Sequence, residues 1–181
     1  KDADCTIPVN DEEAVLSDIA FYAKWTLSSD EDITLIAQAG STTVIDTDRK
    51  YIYGLKEGVT VNELDTVYLD VIGNGELEYV YDSVVGTGTK VNLVNSFTGE
   101  VIDTYTLVIF GDLNGDGYIN TSDKTILNTY ISGAVTASFS DVYVYAADLY
   151  NDMDITSTDL TQMKSLLSGA ATYDQANREI V

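Results

Sequence analysis

A twelve-residue pattern that occurs twice constrains this chain more than anything else in it. Residues 112–123 read Asp-Leu-Asn-Gly-Asp-Gly-Tyr-Ile-Asn-Thr-Ser-Asp, and thirty-six residues later 148–159 read Asp-Leu-Tyr-Asn-Asp-Met-Asp-Ile-Thr-Ser-Thr-Asp. In the first copy, oxygen-bearing side chains recur at Asp112, Asn114, Asp116 and Asn120, with Asp123 at the twelfth place. Calcium takes about six to eight hard oxygens at roughly 2.3–2.6 Å, and alternate residues of a tightly wound loop converge on one point. Tyr118, at the seventh place, would contribute its backbone carbonyl, and Gly117 at the sixth permits the sharp turn. Ile119 at the eighth place should point inward and fasten the loop. The plain alternative is a solvated acidic turn.

The second copy is less regular. Its candidate ligands are Asp148, Tyr150, Asp152, Asp154 (through its carbonyl), Thr156 (directly or through a water) and Asp159. Tyr150 stands where the first copy has Asn114, and Met153 where it has Gly117. Losing an oxygen ligand and the turn glycine predicts two calcium sites, the second weaker. The alternative for the second copy is a vestigial loop held by its own hydrogen bonds.

Each loop runs into a helical pattern. Ser122–Ile131 carries Ile126, Leu127, Tyr130 and Ile131 on one stripe before Gly133; Thr158–Ser168 carries Leu160, Met163, Leu166 and Leu167 before Gly169. Ser140–Ala147 reads as a short connecting helix. With a β-like run ending at Phe110, no helix is expected directly before either loop, so the pattern is two loop–helix halves rather than two helix–loop–helix hands. Crowded carboxylates repel one another in so small a core, which makes bound cations a source of folding energy. Phe110 and Tyr173 lie just outside the two repeats, and a stack between them would tie the ends together.

Residues 1–110 have a different texture. Short Val/Ile/Tyr-rich runs alternate with Gly, Asn and Asp, which predicts strands at Ile33–Ala39, Thr42–Asp46, Tyr51–Tyr53, Val67–Ile72, Leu77–Tyr81, Lys90–Asn95 and Val101–Ile109. Gly73-Asn74-Gly75 and Thr98-Gly99 read as turns between strands. Thr60-Val61-Asn62-Glu63 has the spacing of a capping box, starting a short helix through Asp65. Gly86-Thr87-Gly88-Thr89-Lys90 lacks the ending of a phosphate loop and precedes a strand, so it reads as a turn. Tyr68, Tyr79, Tyr81 and Tyr105 offer a sugar-stacking platform on paper, though strand tyrosines are more often half-buried sheet residues. The fold class expected is α+β and multidomain. A small β-sandwich, immunoglobulin-like, over 30–110 precedes an α-helical module over 111–181 with two EF-hand-like loop–helix repeats.

Composition narrows the chemistry. Thirty acidic against nine basic residues give a net charge of −21, which repels nucleic acid and anionic membranes and suits cations, neutral glycans or a basic partner. There is no histidine, which removes Ser-His-Asp and Cys-His catalysis and His-ligated zinc. Cys5 alone forms no internal disulfide. No run reaches the roughly 20 apolar residues of a membrane span, and Lys1 opens no signal-peptide pattern, so a soluble, mature fragment of a larger protein is expected. A glycosidase needs only two carboxylates, yet the acids before residue 111 sit mainly in turns. Two methionines are too few for the target groove of a calcium sensor.

Taken with its Gly-Asp-Xaa-Asn-Gly-Asp-Gly opening, Gly111–Gly169 resembles a dockerin. Dockerins are calcium-binding modules that plug secreted enzymes and adhesins into the cohesin modules of cellulosome-type scaffolds. With a β-rich module before it, the whole resembles an X-module–dockerin pair of an anaerobic bacterium. The resemblance implies no catalysis, an extracellular or cell-surface setting in polysaccharide degradation, and recognition of cohesin through one loop–helix face. Carried over, the recognition positions are Thr121, Ser122, Asn128 and Thr129 in the first copy and Ser157, Thr158, Lys164 and Ser165 in the second. The reversed Thr-Ser and Ser-Thr pairs would allow binding in two orientations, while Asn-Thr against Lys-Ser distinguishes the faces. An alternative keeps the dockerin as attachment only and gives the β domain a carbohydrate-binding or adhesion role. Within 1–29, Ile19–Thr26 resembles the closing strand of β-grasp-like repeats of bacterial surface proteins. It reads equally as a strand that joins the next domain's sheet.

Overall fold

Seven runs of β-branched and aromatic residues become seven strands in the computed structural model, which describes residues 33–134 and 140–181. The expectation for Ile19–Thr26 lies outside these residues. Strands β2 (Val44–Asp46), β3 (Tyr51–Tyr53), β7 (Val101–Leu107), β6 (Lys90–Asn95) and β5 (Gly75–Val80) form one sheet in that order. Strands β1 (Thr34–Ala37) and β4 (Leu69–Ile72) form a separate antiparallel ribbon. All neighbours in the larger sheet are antiparallel except β3 and β7, which run parallel with Ile52 opposite Leu107. Leu35 and Leu69 of the ribbon share a core with Ile52, Val91, Leu93, Tyr105 and Leu107 of the sheet. The α+β class is as expected, but the two β layers are unequal, five strands and two.

The inequality begins at Gly73-Asn74-Gly75, read above as a turn between paired strands. The turn exists, yet β4 pairs with β1 and β5 pairs with β6. Gly73 is left-handed at the turn, at φ +84°, and the chain passes there from the ribbon to the larger sheet. By contrast Thr98-Gly99 does close a hairpin: Asn95 Oδ1 accepts from the Phe97 and Thr98 amides, Gly99 sits at φ +70°, and β6 and β7 pair. The Thr60–Glu63 capping box forms and starts a short helix α1 (Val61–Glu63), which continues as a π-helical turn over Leu64–Tyr68. That turn shortens the strand expected from Val67 and buries Leu64 and Tyr68.

Three helices follow: α2 (Thr121–Ile131), α3 (Asp141–Ala147) and α4 (Ser157–Leu167). The expectation that no helix directly precedes a loop fails for the second copy. Helix α3 ends at Ala147, and Asp148 is its C-terminal cap, so this repeat is helix–loop–helix. Ala146 and Ala147 are fully buried, which packs the helix end where the loop begins. The chain ends in a small ribbon, β8 (Tyr173–Asp174) with β9 (Glu179–Ile180).

The passage from sheet to helices has no linker because one pair of strands serves two cores. Side chains alternate across a strand. At the end of β7, Leu107 and Ile109 face the β core, while Val108 and Phe110 face the helices with Leu127, Leu149 and Met163. In β3, Ile52 faces the β core while Tyr51 and Tyr53 pack on the helical one. Leu107, Val108, Ile109 and Phe110 have no exposure at all, as expected for a strand covered on both faces. Phe110 also anchors the far end of the chain. Its ring lies 5.9 Å from that of Tyr173, and its backbone N–H and C=O both bond the Gln175 amide, at 2.7 and 3.0 Å. The ring contact expected from sequence is present, tilted by 44° rather than stacked.

Candidate metal centre

Both acidic loops share one backbone plan. Places four and six take left-handed conformations in each: Gly115 and Gly117 at φ +78° and +81°, Asn151 and Met153 at +58° and +68°. The twelfth-place carboxylate closes each loop on the ninth-place amide and on one amide near the loop's start, at the second place in the first copy and the third in the second. Asp123 accepts the Leu113 and Asn120 amides at 2.8 Å each, and Asp159 accepts those of Tyr150 and Thr156 at 2.9 and 2.8 Å. Each is also the third residue of a capping box, with Asn120 capping α2 and Thr156 capping α4. Both helices end alike. Gly133 and Gly169 are left-handed, and the following amides reach back to Thr129 and Ser165 in Schellman closures.

The first loop is then gripped from outside. The first-place carboxylate of Asp112 accepts the Gly115 amide on Oδ1 and the Gly117 and Thr87 amides on Oδ2. Thr87 belongs to the β domain, and its hydroxyl in turn bonds both the N–H and the C=O of Ile109. Gly58 donates to the Gly117 carbonyl at 2.8 Å, and Glu57 Oε2 accepts the Ile119 amide at 2.9 Å. Clearance is minimal. A Cβ on Gly86 would stand 2.5 Å from the Gly115 oxygen and 2.8 Å from Asp112 Oδ2, and one on Gly117 would stand 2.4 Å from the Val85 oxygen. Residues 86–89 are a turn, as read, leading into β6 at Lys90, and its glycines make room for the acidic loop. Ile119 lies over Gly111, whereas its counterpart Ile155 packs on the helical core.

Asp112 and Asp123 have no exposure and no ion pair among the described residues. Burial pushes both carboxyls above the ordinary carboxylate range, against the pull of their backbone amides. Buried charges are normally paired or coordinate a metal. Asp116 and Asn120 lean toward each other, with the Asn120 amide 3.3 Å from Asp116 Oδ2 and that of Asn114 2.8 Å from the same oxygen. Among the described residues no three Asp, Glu, His or Cys side chains gather as a metal-holding group by themselves. The ligands expected for the first loop are three carboxylates, two side-chain amides and the carbonyl of Tyr118, hard oxygens of the kind calcium takes, and the two buried carboxylates lack an ion-pair partner among the described residues.

The second loop meets different neighbours. Asp148 accepts the Asp152 and Met153 amides at 3.1 Å each, and the outside donor is Arg178, whose Nη2 lies 3.3 Å from Oδ2. Arg178 comes from the turn between β8 and β9. Its guanidinium packs between Tyr145 and Phe110, 4.4 and 4.7 Å from the ring centroids, and bonds the Tyr145 hydroxyl. Tyr150 and Met153 point outward, Met153 being 90% exposed. Asp148, Asp152, Asp159 and the Thr156 hydroxyl leave a smaller donor set, and one negative charge is already matched. Sequence reasoning missed Thr87, Glu57 and Arg178. Only the two glycines around Thr87 marked a place where backbone approaches closely.

The positions carried over for partner recognition lie on equivalent parts of α2 and α4. Thr121, Ser122, Asn128, Ser157 and Lys164 are exposed; Thr129, Thr158 and Ser165 are half-buried. Thr129 and Ser165 both donate back to the carbonyl four residues earlier. The four tyrosines of the β domain form no exposed platform. Tyr68 and Tyr105 are buried in the core, Tyr79 is half-buried and donates to Asp65, and Tyr81 alone is exposed.

Comparison with known families gives one match. Residues 110–168 match the family described as the dockerin type I domain. No curated protein and no solved structure matches the chain.

Proposed function

We propose that this chain, whose residues 110–168 belong to the type I dockerin family, docks its parent protein onto a cohesin of a cellulosome-type extracellular complex for polysaccharide degradation. A dockerin is a non-catalytic, calcium-binding module that assembles with cohesin, and in this reading the chain as a whole is non-catalytic. Residues 30–110 serve as an X-module-like spacer with a sandwich-like core. Asp112, Asn114, Asp116, Tyr118, Asn120 and Asp123 would hold the first ion. Asp148, Tyr150, Asp152, Asp154, Thr156 and Asp159 line the second, weaker site. Bound calcium supplies the positive charge that lets these carboxylates stay close.

One observation carries the reading: two loop–helix units with the same helix caps and stops share a single core and turn equivalent hydroxyl-bearing faces outward. A plate preformed in this way loses little freedom on docking. Thr121, Ser122, Asn128 and Thr129 form one proposed contact face, and Ser157, Thr158, Lys164 and Ser165 the other. The test is titration of the chain against a panel of cohesins, with and without chelator. Binding to at least one cohesin that disappears on chelation is expected. Binding to none, or binding that ignores the chelator, overturns the reading.

A further inference from the structure

The two first-place carboxylates are fixed by donors of different charge. On Asp112 Oδ2 the outside donor is the neutral Thr87 amide at 2.8 Å; on Asp148 Oδ2 it is the Arg178 guanidinium at 3.3 Å. The rest of each carboxylate's bonding comes from within its loop. Arg178 is also held firmly. The side chain is 14% exposed, stacked between two rings, and tied to the Tyr145 hydroxyl. In a chain with nine basic residues against thirty acidic ones, this is an unusually committed use of a cation.

We propose that Arg178 is a resident cation of the second loop, holding that loop formed when calcium is scarce and lowering its affinity for calcium when it is not. The inference rests on the calcium reading above and adds a residue outside the twelve-place pattern. A guanidinium supplies part of the positive charge that the carboxylates require, so the loop tolerates the ion-free state. The same charge repels an arriving divalent ion across a short, poorly solvated distance, where screening is weak. Among the described residues the first loop has no such cation, and its dependence on the ion should be greater.

The test compares the full chain with Arg178→Gln and Arg178→Lys by calorimetric titration with calcium chloride and by thermal melting in chelator. The charge-free variant should bind the second calcium about tenfold more tightly, the size expected for losing one like charge nearby. It should also melt at a lower temperature in chelator. Arg178→Lys should stay near the parent in both. Opposite signs are the signature, because an arginine with a merely structural role would weaken binding and stability together. Where Arg178→Gln unfolds without calcium, release of the second ion from the loaded protein into a chromophoric chelator, read by stopped flow, gives the same information. About tenfold slower release supports the proposal. An unchanged or weaker second step, or equal or faster release, overturns it while leaving the calcium reading intact. A parent chain that takes up no calcium at either loop overturns both.

Discussion

The two acidic loops have nearly the same backbone and very different surroundings. Places four and six are left-handed in both, the twelfth carboxylate accepts the ninth-place amide in both, and both helices start and stop in the same way. What differs is what leans on them. The first loop lies under the β domain, where Val85, Gly86 and Thr87 leave no space for another atom. The second is open at Met153 and backed by Arg178. The comparison teaches that twelve residues suffice to set the shape of such a loop, while its tolerance and its charge balance are set by its neighbours.

The largest test of that difference is Gly117→Ala against Met153→Ala. At the first position a methyl group would meet the Val85 oxygen at 2.4 Å in a left-handed conformation. Left-handed strain alone costs about 1–2 kcal/mol, and forcing apart packed backbone adds roughly 1–3 kcal/mol. A loss of about 2–4 kcal/mol is expected, read as a fall in denaturant midpoint. Met153→Ala exchanges one exposed, already strained side chain for another, and should change stability by less than about 0.5 kcal/mol. Equal losses at the two positions would mean that the β domain does not constrain the first loop.

A smaller effect should be the same in both loops. Asn120 and Thr156 cap their helices through identical boxes, so Asn120→Ala and Thr156→Ala should each cost about 1 kcal/mol when melted in chelator. With calcium present the Asn120 variant should lose more, because under the proposed calcium reading the stronger site also loses a ligand. A difference already present in chelator would show that the loops differ in their own hydrogen bonding and not only in their neighbours.

The features legible in the sequence were local ones. The sharp turn at Gly117, the helix stops at Gly133 and Gly169, and the capping box at Thr60 all depend on residues within a turn or two, and each formed as its spacing implied. The contact of Phe110 with Tyr173 is long-range but followed from symmetry, since both flank the repeats. Thr87 and Asp112 are 25 residues apart, and Arg178 and Asp148 are 30 apart. Nothing in spacing or periodicity marks those pairs, because they are created by the double-sided wall of β3 and β7 and by the return of the C-terminal ribbon. The same is true of Gly73. Its turn was evident, but which strands it would leave unpaired depends on a ribbon partner, β1, far away in the chain.

The smallest effect is also the one of opposite sign. Met153 stands left-handed at φ +68° with its side chain 90% exposed, so it gains almost no packing to offset its backbone strain. Met153→Gly removes strain of about 1–2 kcal/mol and costs roughly 0.5–1 kcal/mol in unfolded-chain entropy. A net gain of about 0.5 kcal/mol is expected, visible as a slightly higher melting temperature in chelator. Because the loop would also settle more easily into the turn that an ion needs, the gain should grow when calcium is added. If Met153→Gly lowered stability instead, the methionine would be making a contact that outweighs its backbone, and the second loop could no longer be regarded as the less constrained of the two.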